Sequence, residues 1–144
     1  MERIDIREIR EEDYKDIHVL NKELGYSYDE SKVQDRIRYI LASTKDKVFV
    51  AQNEGSVIGY IHGSPYELLF SDSMVNILGF VVSERYRGSG VGSMLIGELE
   101  KWAMNNGFSG IRLASGIDRT NAHGFYENHG YIYIKTQKNF VKIL

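Results

Sequence analysis

A chain of 144 residues with formal net charge −2, no cysteine and one proline has the size of a single compact domain spanning residues 1–144. Its 42% hydrophobic and 12% aromatic content suits a globular chain that buries roughly 68–70% of its unfolded surface. Lack of cysteine excludes disulfides, thiolate zinc sites and a cysteine nucleophile, and the near-neutral charge argues against a nucleic-acid binder.

No apolar run approaches the ~20 residues of a membrane span, and the polar start MERIDIREIREED is unlike a signal peptide. The expectation is a soluble, cytoplasmic protein. Ile4 and Ile6 alternate with charged residues, which predicts a short, half-buried strand. Tyr14, Ile17, Leu20 and Leu24 recur at helical spacing, with Gly25 beyond the end, and Val33, Ile37 and Ile40 form a second stripe. KVFVAQ (47–52) and VIGYIHG (57–63) are predicted strands around a turn at Asn53–Gly55. MVNILGFVVS (74–83) is almost wholly apolar, the pattern of a strand covered on both faces.

After ERYRGSGVGS comes a helix with Val91, Leu95, Leu99 and Trp102 on one side, ended by Asn105-Asn106-Gly107. GIRLAS (110–115) reads as a strand and Thr120 to Asn128 as a short helix stopped by Gly130. YIYIKTQ and NFVKIL are the two final strands. The order is mixed α/β, with strand–helix–strand units and parallel neighbours in the second half.

The most informative segment is Arg85-Tyr86-Arg87-Gly88-Ser89-Gly90-Val91-Gly92, between a buried strand and a helix. Glycines there permit close approach to the backbone and positive φ. The helix behind them offers unpartnered amides and the positive end of its dipole, which together make an anion site whose usual guest is phosphate. Arg85 and Arg87 add mobile positive charge beside it. A P-loop is excluded because no lysine follows Gly92. The dinucleotide fingerprint fits Gly88 and Gly90 but meets Ser93 at its third position, and it would open past mid-chain. The pattern Arg/Gln-x-x-Gly-x-Gly/Ala is met by Arg85, Gly88 and Gly90. A ligand-free glycine turn stays open as the alternative.

A second segment, AHGFYENHGY (122–131), carries Ala-x-x-Phe-Tyr-Glu-x-x-Gly-Tyr. Together with FVVSERYRGSGVG (80–92) it closely resembles the GCN5-related N-acetyltransferase (GNAT) family. The resemblance implies a splayed mixed central sheet of about six to seven strands flanked by about four helices. It also implies acetyl-CoA lying in the split between MVNILGFVV and GIRLAS. Backbone groups of Phe80 and Val82 would pair with the pantetheine arm, and amides of Arg87, Gly88, Ser89, Gly90, Val91, Gly92 and Ser93 would cradle the pyrophosphate.

The reaction so implied is acetyl transfer to an amine, by direct attack in a ternary complex because no cysteine can carry the acyl group. A backbone N–H near Val82 would stabilise the oxyanion. Tyr126 matches the family's tyrosine acid; a phenol of pKa about 10 can protonate a thiolate whose acid lies near about 8.5. The plain alternative for Tyr126 is a packed aromatic. Two positions depart from the family's habits. Arg119 stands where many members carry asparagine, and Asn76 and Leu78 stand near a common glutamate base. Glu67, His62, Asp72 and His123 are the remaining candidates, and no base is assigned. The histidines show no metal-ligand spacing, so no metal is expected.

In the family the acceptor side is built by the first two helices and the loop after the third strand. Here those are residues 24–29 and Ser64 to Asp72, whose aromatics and acids suit a cationic, partly apolar amine. Leu68, Leu69 and Phe70 serve equally well as hydrophobic cover or a dimer contact, and apolar residues of the C-terminal strands are available to pair two subunits. The expected function is acetyl transfer to a small-molecule amine. The alternatives are a protein N-terminus or lysine as acceptor, a non-catalytic CoA-binding regulatory module, or a nucleotide-binding domain.

Overall fold

The computed structural model describes residues 3–144, which fall into two compact units, one ending at Leu113 and one running from Ala114 to Leu144. The first unit contains β1 (Asp5–Glu8), α1 (Tyr14–Glu23), α2 (Glu30–Ser43), β2 (Lys47–Asn53) and β3 (Ser56–Tyr66). It continues through β4 (Met74–Val82), α3 (Val91–Asn105) and β5 (Ile111–Leu113). The strands form one sheet in the order β1-β2-β3-β4-β5. The first four are antiparallel to their neighbours, and β4 pairs β5 in parallel. That parallel pair is why a helix must intervene, since a parallel connection has to cross back over the sheet.

The periodicity that predicts each helix also predicts what it buries. Ile17 and Leu20 of α1 and Val33 and Ile37 of α2 join Val48, Val50 and Val81 in one apolar cluster. Leu95, Ile96 and Leu99 of α3 are fully buried, and α3 packs on β2, β3 and β4. The sheet is thus covered by α1 and α2 on one face. On the other, α3 sits so close that a Cβ on Gly63 would lie 2.8 Å from Leu99 Cδ1. Beside α1, Asp13 is buried. Burial pushes its carboxyl up, yet two hydrogen bonds from Arg7 at 2.9 Å each and one from the Arg10 amide at 2.8 Å hold it below the ordinary carboxylate range.

Tyr60 of β3 packs against the α1–α2 cluster and donates to Asn21 Oδ1 at 2.6 Å. Burial pushes its phenol up to about 12, with Tyr26 adding to the rise. An unfolded phenol ionises near about 10. The resulting stability is therefore whole below that pH and is lost as pH rises through the folded value. Relative to Tyr60→Phe, the wild type should lose about 2–3 kcal/mol across this window. Denaturant melts at a series of alkaline pH values would expose the difference, and parallel curves for the two proteins would refute it.

The second unit holds α4 (Thr120–Asn128), capped by Arg119 and followed by Gly130 in the left-handed region. YIYIKTQ and NFVKIL were expected as strands, but no strand is formed among the described residues beyond Leu113, so the sheet has five strands. Alternation records which side chains favour a pleated surface. A strand exists only where a neighbour takes its N–H and C=O groups. Ile132, Ile134, Phe140, Val141 and Ile143 are all more than four-fifths exposed here.

Candidate active site

β4 is the strand on which the site is built. Its register against β3 runs Val82–Gly59, Val81–Tyr60, Phe80–Ile61 and Gly79–His62, then slips so that Ile77 faces Gly63. Leu78 is the extra residue of a bulge, which turns this strand and increases its twist. MVNILGFVVS was expected to be covered on both faces; instead Leu78 is 56% exposed, turned outward by the bulge. The parallel ladder to β5 covers only Val75–Ile111, Asn76–Arg112 and Ile77–Leu113. β4 therefore continues to Val82 after its parallel partner has ended at Leu113.

Beyond Val82 the chain makes a single turn at Glu84–Tyr86 and enters the glycine loop. Gly88 and Gly90 have φ of 80° and 92°, and an added Cβ would meet nothing within 4 Å at either position. The need for glycine there is conformational, and the space in front of the loop is open. Gly90 caps α3, whose first turn presents amides and the positive dipole end to that space. The loop is tethered from behind. Arg87 Nε donates to the Val82 carbonyl at 3.1 Å, and Glu23 accepts the Glu84 amide at 2.9 Å while lying 3.8 Å from Arg87 Nη2. Asn53 Nδ2 donates to the Tyr86 hydroxyl at 2.8 Å. Arg87 is thus a strut as well as a charge, where mobile charge was expected; Arg85 is exposed.

Phe80, Val82 and Arg87–Ser93 share this strand–loop–helix segment of the first unit, and Tyr126 stands on α4 of the second. Burial pushes the Tyr126 phenol above its ordinary value, against the opposing pull of Arg119, so it stays a proton donor through neutral pH. Arg119, whose role the sequence left open, thereby acts on the tyrosine electrostatically. His123 Nε2 lies 2.9 Å from the Gly116 carbonyl, and His129 Nδ1 lies 2.8 Å from the Phe125 carbonyl. Both contacts bind the α4 segment to itself.

Of the base candidates in the first unit, His62 Nε2 is 2.8 Å from Asp46 Oδ2, and Glu67 accepts from Ser73 at 2.6 Å. Asp72 lies on an exposed loop. Leu69 and Phe70 stand 106% and 85% exposed, so they are no cover for a core. One group went unnoticed in the sequence. Arg112 of β5 donates to Asn76 Oδ1 at 2.5 Å and stacks over the Tyr66 ring at 4.6 Å from its centroid. A lone cation at the centre of Ile111-Arg112-Leu113 was its only signal.

The family model described as the acetyltransferase (GNAT) family matches residues 4–131. The chain belongs to that family. Among solved structures, this GNAT chain is similar to an aminoglycoside N-acetyltransferase, AAC(6')-Iy, in complex with CoA. The TM-score is 0.88 at 20% identity, covering 99% of this chain and 96% of that one. It is likewise similar to the aminoglycoside 6'-N-acetyltransferase AAC(6')-Ih from Acinetobacter baumannii, at TM-score 0.84 and 19% identity with 99% of each chain covered. Likeness at such identity speaks for the fold alone. N-acetylaspartate synthetase of Rattus norvegicus is 27% identical over 93 residues, which is 65% of this chain and 30% of the relative's length.

Proposed function

We propose that this GNAT chain is a cytoplasmic transferase that moves the acetyl group of acetyl-CoA to the amine of a small molecule. The observation that carries the reading is the tethered glycine loop opening α3, set directly after the strand that outruns its parallel partner. Such a loop offers amides to a pyrophosphate without needing a metal, and the stretch of β4 beyond the end of β5 leaves an edge for an extended amide-bearing arm. CoA bound to a solved neighbour of the same fold supports the reading.

In this reading Phe80 and Val82 present backbone groups to the pantetheine arm, and Arg87, Gly88, Ser89, Gly90, Val91, Gly92 and Ser93 hold the pyrophosphate. The neutral amine attacks the thioester carbonyl, and the developing oxyanion is met by a backbone N–H of β4. The C–N bond is formed in that tetrahedral adduct. Its collapse breaks the C–S bond, Tyr126 gives its proton to the departing thiolate, and the proton shed by the nitrogen passes through water to restore the phenol. The chain contributes positioning and proton transfer; the activated acyl group comes with the co-substrate.

Calorimetric titration with acetyl-CoA, ATP and NAD, followed by an amine-library screen for free CoA thiol, tests this. Binding of acetyl-CoA and thiol release on small amines are the expected results. Tight NAD binding without CoA binding would overturn the donor assignment. Turnover on peptides alone would move the acceptor to protein amines, and CoA binding without release on any amine would make the chain a regulatory module.

A further inference from the structure

The first unit holds a cavity of about 160 Å³ between α1, α2 and β3, walled in part by Ile9, Val33, Ile37 and Val48. An apolar cavity of about 150 Å³ is large enough to take a benzene ring. Tyr60 and His62 line the same cavity. Tyr60 packs on the α1–α2 cluster, and His62, two residues further along β3, projects to the same face. His62 Nε2 lies 2.8 Å from Oδ2 of Asp46, and the two side chains are only 18% and 13% exposed. Asp46 is itself fixed to the end of α2. Its amide donates to Thr44 Oγ1 at 3.1 Å, and the Thr44 hydroxyl donates to the Ile40 carbonyl at 2.8 Å. A carboxylate accepts and cannot donate. Nε2 is therefore the donor, and in the neutral ring Nδ1 keeps the lone pair of a base. No other hydrogen bond among the described residues takes it.

The pair stands next to the strand on which the acyl group is received. His62 is the direct partner of Gly79 on β4, and Cα atoms in such a pair are about 4.5–5.5 Å apart. Gly79 precedes Phe80, whose backbone the reading above gives to the pantetheine arm; the inference rests on that reading. Gly79 has no side chain, and the space so left is used by Tyr60. A Cβ there would lie 3.2 Å from Tyr60 Cε1 and 3.5 Å from its hydroxyl oxygen. That hydroxyl donates to Asn21, and its lone pairs face the question of what else it accepts. Among the described residues no carboxylate lines the cavity, and Arg36 is its one permanently charged member. An ammonium finds no counter-charge among those walls, and burying an unpaired charge is costly. The nitrogen has to shed its proton on arrival. We propose that the cavity receives a compact apolar substituent of the acceptor amine, and that His62 is the base that deprotonates its ammonium. The N–H bond breaks, its electron pair stays on nitrogen, and the proton joins Nδ1 directly or through one water. The freed amine then attacks the thioester, and the imidazolium returns its proton to solvent. Transfer from an ammonium releases one proton overall, so the account balances. Asp46 is a positioning residue that fixes which ring nitrogen is the base.

The test uses initial rates of CoA thiol release at neutral pH on two acceptor series. Across straight-chain alkylamines the wild type should gain about fourfold in kcat/KM for each added methylene until the cavity is full, and then level off. The second series sets alkylamines, which are ammonium ions at that pH, beside their trifluoromethyl counterparts, which are already largely neutral. His62→Gln, whose amide can still donate to Asp46, should lower kcat on the alkylamines by about 10²–10⁴-fold. It should leave the fluorinated amines near the wild-type rate, since they bring no ammonium to deprotonate. Calorimetry should show acetyl-CoA affinity unchanged in the variant, and a thermal melt establishes that it is folded. Equal losses on both kinds of amine would make the His62–Asp46 contact a structural tie and overturn the base. A wild type indifferent to chain length would overturn the apolar pocket, and that measurement needs no variant. Either result leaves acetyl transfer standing. Failure to bind acetyl-CoA would overturn the donor assignment and this proposal with it.

Discussion

Gly90→Val should fold and yet lose at least about 100-fold in affinity for acetyl-CoA. Two costs are separable at this residue. Gly90 sits at φ 92° as the cap of α3, a conformation that strains any β-branched side chain by about 1–3 kcal/mol. That part appears as a lowered melting temperature in the free protein. The second cost appears only with ligand. Beyond Gly90 and its two chain neighbours no atom lies within 4 Å of a Cβ built there, so the isopropyl group would project into the open space before the helix amides, where a pyrophosphate must approach. Because Gly90 is flanked by the Arg87–Val82 tether, the loop should hold its position and allow the two effects to be read apart. Calorimetry on the folded variant, beside a thermal melt, is the measurement. Wild-type affinity in a destabilised but folded Gly90→Val protein would remove the loop from the cofactor site.

Tyr126→Phe should lower kcat by about 10²–10⁴-fold, the usual worth of a positioned general acid, with acetyl-CoA affinity close to wild type. Burial raises the phenol and Arg119 pulls it back. The sign follows directly: a raised phenol is protonated at neutral pH, is competent to donate, and is lost as a donor only when the pH climbs past its own value. The wild-type rate should accordingly fall on the alkaline side, and Tyr126→Phe should show a low rate without that fall. Phenylalanine keeps the ring that Tyr126 places near Phe125 and Tyr131, so the helix should be little disturbed. Unchanged kcat would return Tyr126 to a packing role.

How far these residues were legible in the sequence differs by kind. The glycine loop was legible because its chemistry is backbone chemistry: Gly88 and Gly90 announce positive φ, and their φ values of 80° and 92° are what the structure shows. The helices were legible because burial follows a period of 3.6, and Ile17, Leu20, Val33, Ile37, Leu95 and Leu99 are all buried. Leu78 misled because an apolar run carries no mark of a bulge; the slip arises from pairing with His62 and Gly63. The C-terminal segment misled for a related reason, since propensity for a strand is local and its hydrogen-bond partner is not.

What the sequence determined by itself is therefore whatever local chemistry dictates: mixed α/β order, the positive-φ glycine loop before α3, the absence of any thiol to carry an acyl group, and a short helix carrying Tyr126. Only the tertiary structure decided the five-stranded sheet, the run of β4 to Val82 beyond the end of β5 at Leu113, and the meeting of Tyr66, Asn76 and Arg112. Those three residues stand on three different strands, and nothing in their spacing along the chain brings them together. Their contact follows from register, which is set by the whole sheet. The glycine loop lies in consecutive residues, whereas the contact of Tyr66, Asn76 and Arg112 exists only where distant strands are laid beside one another.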